Sequence, residues 1–231
     1  LGSGFTASFT DFDNDGDMDI YVVNDELINT IGNVLFRNDG AGCAGWCFTD
    51  VSSETGAGII IAGMGLAVAD YDNDLDLDMY FSNMVNAHAL LQNDGSSFEN
   101  IARRAGVEVG PSPAVGWGSI FFDYDNDGWL DLFVTGGLAE SVLYKNNQDG
   151  TFRVSDLLSD VALPDVWTGG AVWADYDNDG WTDLYVLAHG ANILFKNKEG
   201  QGFEDITAFA DIGDEGKGTT ATWGDYDQDG F

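Results

Sequence analysis

The chain has 231 residues, with 8 Lys and Arg against 40 Asp and Glu, and a formal net charge of −32 at pH 7. A polyanion of this strength repels phosphate backbones and anionic head groups, which argues against binding nucleic acid or a membrane through a basic patch. Disorder is excluded by a composition that is 44% hydrophobic and 13% aromatic, and no run approaches the 18 apolar residues of a helical membrane span.

Taken in chain order, an apolar stretch ending near Phe9 leads into a loop where Asp11, Asp13, Asp15, Asp17 and Asp19 alternate with other residues. Residues 20–23 and 34–38 read as short β-branched and aromatic strands, Asp39-Gly40 as a turn, and residues 48–51 as a further strand. The second loop carries Asp70, Asp72, Asp74, Asp76 and Asp78, with strands expected over 79–82, 89–93 and 98–101. A third holds Asp123, Asp125, Asp127 and Asp131, with Trp129 at its seventh position and strands over 132–135, 142–146 and 152–154. The fourth holds Asp175, Asp177, Asp179 and Asp183, with Trp181 at the seventh position and strands over 184–187, 193–197 and 203–206. A fifth begins with Asp225, Asp227 and Asp229 and runs to Phe231. Two residues before each loop stand Phe9, Val68, Phe121, Trp173 and Trp223, the expected first strands. Only 101–106 and 155–160 look helical, as single turns.

The loops recur at spacings of 59, 53, 52 and 50 residues and hold 21 of the 40 acids, so the charge is organised as sites. A period near 50 residues with four short strands is the signature of a propeller blade; a solenoid needs shorter coils and no hairpin turns. The expected fold is all-β, a β-propeller of four-stranded antiparallel blades. One domain spans 1–231, with repeats at about 1–56, 57–109, 110–164, 165–212 and a partial 213–231. Four repeats and a fragment fall short of a closed ring, so the polypeptide is expected to continue.

Aspartates at positions 1, 3, 5 and 9 of a nine-residue loop can converge on one point, with a backbone carbonyl from position 7, the place of Trp129 and Trp181. Such a set of hard oxygens suits Ca²⁺, which takes 6–8 ligands; Mg²⁺ keeps its waters, and Zn²⁺ would need the His or Cys that these loops lack. Position 6 is glycine in four loops, as a turn at positive φ requires, and Leu75 in the second. An EF-hand is rejected, because no Glu stands at position 12 and the flanks are strands. The alternative, turns that merely solubilise the surface, sits badly with five such loops in register, since clustered carboxylates repel without a cation.

The Asp-Tyr-Asp-Asn-Asp-Gly loops, with the Leu-Tyr-Val strands after them, resemble FG-GAP/VCBS repeats, the repeats of the integrin α-chain β-propeller. With Leu-Phe-Arg-Asn and Phe-Thr-Asp-Val added, the pattern is most similar to the cartilage-acidic-protein and ASPIC/UnbV group. The resemblance implies a secreted or cell-surface propeller of seven or eight blades, with Ca²⁺ in its hairpin loops, here about four to five ions. It carries no catalytic residues onto this chain.

Cys43 and Cys47 can form a disulfide in an oxidising compartment, or remain thiols. Trp117, Trp129, Trp167 and Trp181 can stack on a sugar ring or a partner protein, or simply pack against a blade. Arg37, Lys145 and Lys196 recur near the end of the third strand, where they are expected to neutralise carboxylates. His88 and His189 read as ordinary loop residues. The expected function is a non-enzymatic adhesion, interaction or assembly module whose partner is a protein, a glycan or another copy of the chain. The alternatives are a lectin-like propeller or the propeller part of a polysaccharide-acting enzyme.

Overall fold

A computed structural model describes residues 4–25, 31–84, 87–108, 116–137, 139–225 and 227. The chain divides into two compact units, Leu1–Pro111 and Ser112–Phe231.

In the first unit, β1 (Gly4–Thr10), β2 (Asp19–Asn24), β3 (Val34–Gly42) and β4 (Gly45–Asp50) form one antiparallel sheet in chain order. β5 (Gly63–Ala69), β6 (Asp78–Asn83), β7 (Ala89–Asn93) and β8 (Phe98–Asn100) form a second in the same order. The two-residue alternation of a half-buried strand is plain in β2, where Tyr21 and Val23 are buried while Ile20 and Val22 are only half so. All of β6 is buried. One core cluster gathers Tyr21, Val23 and Leu35 from the first sheet with Met79, Phe81 and Leu91 from the second.

The second unit repeats the plan. Its third sheet is β9 (Ser119–Phe122), β10 (Asp131–Val134), β11 (Val142–Asn146) and β12 (Phe152–Val154). The fourth is β13 (Thr168–Ala174), β14 (Asp183–Ala191), β15 (Ile193–Asn197) and β16 (Phe203–Asp205), and β17 (Glu215–Lys217) pairs with the end of β14. The core cluster here holds Phe133 and Leu143 with Leu184, Val186 and Phe195. The four sheets are four-stranded antiparallel blades of the β-propeller type, as the strand pattern predicts.

Each blade ends in one helical turn: α1 (Ser52–Thr55), α2 (Ala102–Ala105), α3 (Leu158–Val161) and α4 (Thr207–Ala210). The sequence shows only two of these. All four are set off by a polar side chain that accepts the backbone N–H two residues on, at Asp50, Asn100, Ser155 and Asp205.

Register places the acidic loops. In all four sheets the residue before the first loop aspartate pairs with the ninth loop residue: Thr10 with Asp19, Ala69 with Asp78, Phe122 with Asp131, Ala174 with Asp183. Each loop therefore closes the hairpin between a blade's first and second strands, and its last aspartate is the first residue of a buried strand.

Candidate metal centre

Each loop is held by its own carboxylates. The position-1 carboxylate accepts from the amides of positions 5 and 6: Asp11 from Asp15 and Gly16 at 3.1 and 3.0 Å, and likewise Asp70, Asp123 and Asp175 in theirs. The position-5 carboxylate of Asp15, Asp74, Asp127 and Asp179 accepts from the amide of position 7 at 2.8–3.0 Å. These bonds curl the chain tightly and demand left-handed backbone. Gly16, Gly128 and Gly180 stand at φ 91, 86 and 90°, and Leu75 adopts φ 78° at the same place. Position 4 is also left-handed, at φ 55–59°, and is Asn14, Asn73, Asn126 or Asn178. Asparagine tolerates that region better than other non-glycine residues.

The ninth aspartate is the floor. Asp19, Asp78, Asp131 and Asp183 are fully buried. Each accepts through one oxygen from the amide of position 2 (3.0–3.4 Å) and through the other from the amide of an asparagine ending the third strand. That residue is Asn38, Asn93, Asn146 or Asn197, at 2.7–2.8 Å. Its side-chain amide caps the carbonyl of position 8, and its oxygen takes an amide of the following turn, so one side chain ties the loop to the neighbouring hairpin. Burial outweighs these bonds and pushes the acids upward: Asp78 to about 8, Asp131 to about 7 and Asp183 to about 6, with Asp19 raised as well.

Three carboxylates approach one another in every described loop. Oxygens of Asp11, Asp13 and Asp15, of Asp70, Asp72 and Asp78, of Asp123, Asp125 and Asp127, and of Asp175, Asp177 and Asp183 lie within 4.8 Å of each other. The position-3 residue has one oxygen, Oδ1, that is buried without a hydrogen-bond partner in all four: Asp13, Asp72, Asp125 and Asp177. Among the described residues these are the only carboxylate oxygens in that condition. A buried anionic oxygen is costly unless something positive meets it. An all-oxygen donor set with one such atom fits a hard divalent cation of calcium's type, held by the aspartates of positions 1 and 3 with those of 5 or 9.

Other expected ligands lie apart. The carboxylates of Asp17 and Asp76 are not in these groups, and Asp76 accepts from Asn14 at 2.7 Å. At Trp129 and Trp181 the expected donor is the backbone carbonyl, and the Trp181 ring lies by the Gly200 turn. Asp225 and Asp227 are exposed, and Asp229 and Phe231 lie outside the described residues. Lys145 and Lys196 do neutralise loop carboxylates, bonding Asp125 with Asp127 and Asp177 with Asp179, whereas Arg37 turns to Asp39 at 2.8 Å.

Away from the loops, Cys43 and Cys47 form a disulfide at the tip of the β3–β4 hairpin, with Cα atoms 5.7 Å apart. Trp167 stacks on His189 at 3.5 Å and meets Trp117 at 5.0 Å. The two histidines correct the sequence reading. His189 belongs to β14, and His88 is a core residue whose Nδ1 bonds the Tyr80 hydroxyl, a burial that Tyr80's position on β6 dictates.

A lectin of Agrocybe aegerita that recognises non-reducing terminal N-acetylglucosamine shares the fold. Its TM-score is 0.51 at 17% identity, over 87% of this chain and 51% of that one. Cartilage acidic protein 1 of Xenopus tropicalis is 31% identical over 186 residues, and that of Mus musculus 28% over 185. These alignments take in 73% of this chain, which spans 27% of the length of each of those relatives. A family model for the FG-GAP-like repeat matches residues 11–81, 123–186 and 175–231, covering all five acidic loops, and the chain belongs to the FG-GAP-like repeat family.

Proposed function

We propose that the chain is a calcium-stabilised, non-enzymatic propeller module that works outside the cell by offering its surface to a protein or glycan partner. The observation that carries this reading is the fourfold recurrence of a buried, unpaired carboxylate oxygen at Asp13, Asp72, Asp125 and Asp177, each beside two further carboxylates. Calcium meets the buried oxygen that no protein group reaches, even in the two loops that carry a bonded lysine, and accepts irregular oxygen geometry. Catalysis by acid–base or nucleophilic groups needs a convergent set free to meet a substrate. Among the described residues the convergent carboxylates are those of the loops, engaged by backbone amides and, in two loops, by a lysine. An extracellular module of this kind is expected to bind calcium with Kd of about 10⁻⁴–10⁻³ M.

Thermal unfolding in millimolar calcium and in excess EGTA tests the reading. With Kd near 10⁻⁴ M, each site adds about 1.4 kcal/mol at millimolar calcium, and four add about 5–6 kcal/mol, comparable to the whole stability of a typical domain. Chelation is expected to lower Tm by many degrees, and an unchanged melting curve would defeat the proposal.

One observation favours glycan over protein as the partner. Trp117, Trp167 and His189 make an aromatic cluster of the kind on which sugar rings stack, and the similar fungal propeller recognises a terminal sugar. Saturable binding on a glycan array, lost in Trp167→Ala, would support that choice.

A further inference from the structure

The four loops are not chemically equal. The third strand places one long side chain over the loop of its own blade, and its identity changes along the chain. In the third and fourth blades it is a lysine. The ammonium of Lys145 bonds the carboxylates of Asp125 and Asp127, and that of Lys196 bonds Asp177 and Asp179. Each also sits over the ring at loop position 2, Tyr124 at 5.5 Å and Tyr176 at 6.0 Å. In the second blade the corresponding residue is the neutral Gln92, whose Nε2 meets Asp72 at 2.6 Å. In the first it is Arg37, drawn off the loop by Asp39, which Thr49 also holds. Position 7 differs in the same sense: Asp17 and Asp76 in the first two loops, Trp129 and Trp181 in the others. Two loops thus have five carboxylates and, among the described residues, no cation bonded to them; the other two have four carboxylates and a bonded ammonium.

We propose that Lys145 and Lys196 are built-in counter-cations that lower the calcium affinity of the third and fourth loops, so that the first and second loops fill first. The proposal rests on the calcium reading above. The ammonium groups engage the position-3 and position-5 carboxylates, the groups a metal needs, and a divalent ion must displace or tolerate them. At a separation of about 6 Å in a water-like medium, the repulsion between Ca²⁺ and an ammonium corresponds to about a tenfold change in affinity. Affinity in oxygen-ligand sites follows ligand charge count, so the missing carboxylate at position 7 acts in the same direction. The lysines also hold their loops closed when calcium is scarce. Residues 112–231 then keep their structure under conditions that loosen 1–111.

The full chain is the material for the test. Calcium titration by calorimetry is expected to show two classes of site. Terbium(III) luminescence excited through tryptophan, in a Trp46→Phe background because Trp46 lies by the Gly40 turn that Asp17 also approaches, is expected to report the weaker class. K145Q/K196Q copies the residue found in the second blade and should tighten the weaker class about tenfold, while Q92K should weaken one site of the tighter class. Hydrogen exchange during stepwise chelation should expose 1–111 before 112–231. Four equal sites, unmoved by these substitutions, overturn the lysine proposal and leave the calcium reading standing. No calcium binding by the wild-type chain overturns both.

Discussion

Asn93 donates its side-chain amide to the backbone carbonyl of Phe12 at 2.7 Å, across 81 residues of sequence. Asn197 does the same to Tyr124 at 2.8 Å. An asparagine that organises its own blade's loop thus also braces the loop of the blade before it. Asn93→Ala leaves the Phe12 carbonyl buried and unpaired, and the expected loss is about 1–3 kcal/mol. Asn38→Ala removes the corresponding bonds within a blade and, among the described residues, none to another blade, so the difference between the two variants isolates the brace. Denaturant midpoints at constant m-value measure it. Calcium affinity at the first loop should also fall in Asn93→Ala, although Asn93 belongs to the second blade; an unaltered affinity there would mean the brace is mechanical only.

The buried floor of the loops predicts a pH dependence that calcium reverses. In the metal-free protein, burial holds Asp78 near 8, Asp131 near 7 and Asp183 near 6, against about 3.9 in the unfolded chain. Between about pH 4 and pH 8 the folded state therefore binds protons that the unfolded state has released, and stability falls as pH rises through that window. Calcium needs its ligands ionised, and Asp78 and Asp183 are among the converging carboxylates, so with calcium present stability should rise over the same window. Melting curves from pH 5 to 8.5, in EGTA and in calcium, should slope in opposite directions. Slopes of one sign in both would show that the floor aspartates do not take part in binding.

Leu75 occupies a left-handed position that the other described loops give to glycine, at φ 78° and 80% exposed. Its side chain gains little from packing and bears a strain of about 1–2 kcal/mol, which offsets part of the advantage the second loop has in lacking a bonded lysine. Leu75→Gly should tighten calcium binding at the second loop, read by calorimetry on the single variant. A weaker site would indicate that loss of backbone entropy on ordering a glycine outweighs the relieved strain.

The Cys43–Cys47 bond closes a five-residue ring at a hairpin tip where Trp46 is 65% exposed. Chain-entropy reasoning values such a ring at about 2 kcal/mol, but only for unfolding events that release the tip. Cys43→Ser with Cys47→Ser should raise hydrogen exchange at the tip and leave the core of β2 and β6 protected. A global loss of protection would mean that the hairpin is part of the cooperative unit.

The acidic loops were legible because alternating aspartates at one phase, repeated every 50-odd residues, have few physical explanations other than a cation. The strands around them were legible from their β-branched and aromatic runs. Less visible was what holds the loops in shape. Asn38, Asn93, Asn146 and Asn197 recur in the sequence as plainly as the aspartates, yet an asparagine at a strand end reads first as a turn former. Its links to the ninth aspartate and to the preceding blade appear only once strands are paired. The left-handed asparagines of position 4 hid behind the glycine two residues on. All four helical turns are too short to show periodicity, and α1 and α4 escaped although Asp50 and Asp205 stand two residues ahead of each. The side chains of Asp17 and Asp76 are set by the neighbouring turns: Asp17 lies against Gly40, and Asp76 against Gly95.

The brace from Asn93 to Phe12 and that from Asn197 to Tyr124 put the unit of heredity and the unit of support out of phase. A repeat cut out at its own boundaries carries a loop whose support stays behind with the next copy, and brings a support whose loop is missing. Rearrangement of such an array is expected to cost stability, about 1–3 kcal/mol per lost brace, unless the new junction meets a neighbour of the same kind. Duplication in whole periods satisfies that condition, while a partial insertion or a foreign module does not. The periodicity of the sequence thus has a physical counterpart, in that a loop in one repeat is completed by a side chain of the next.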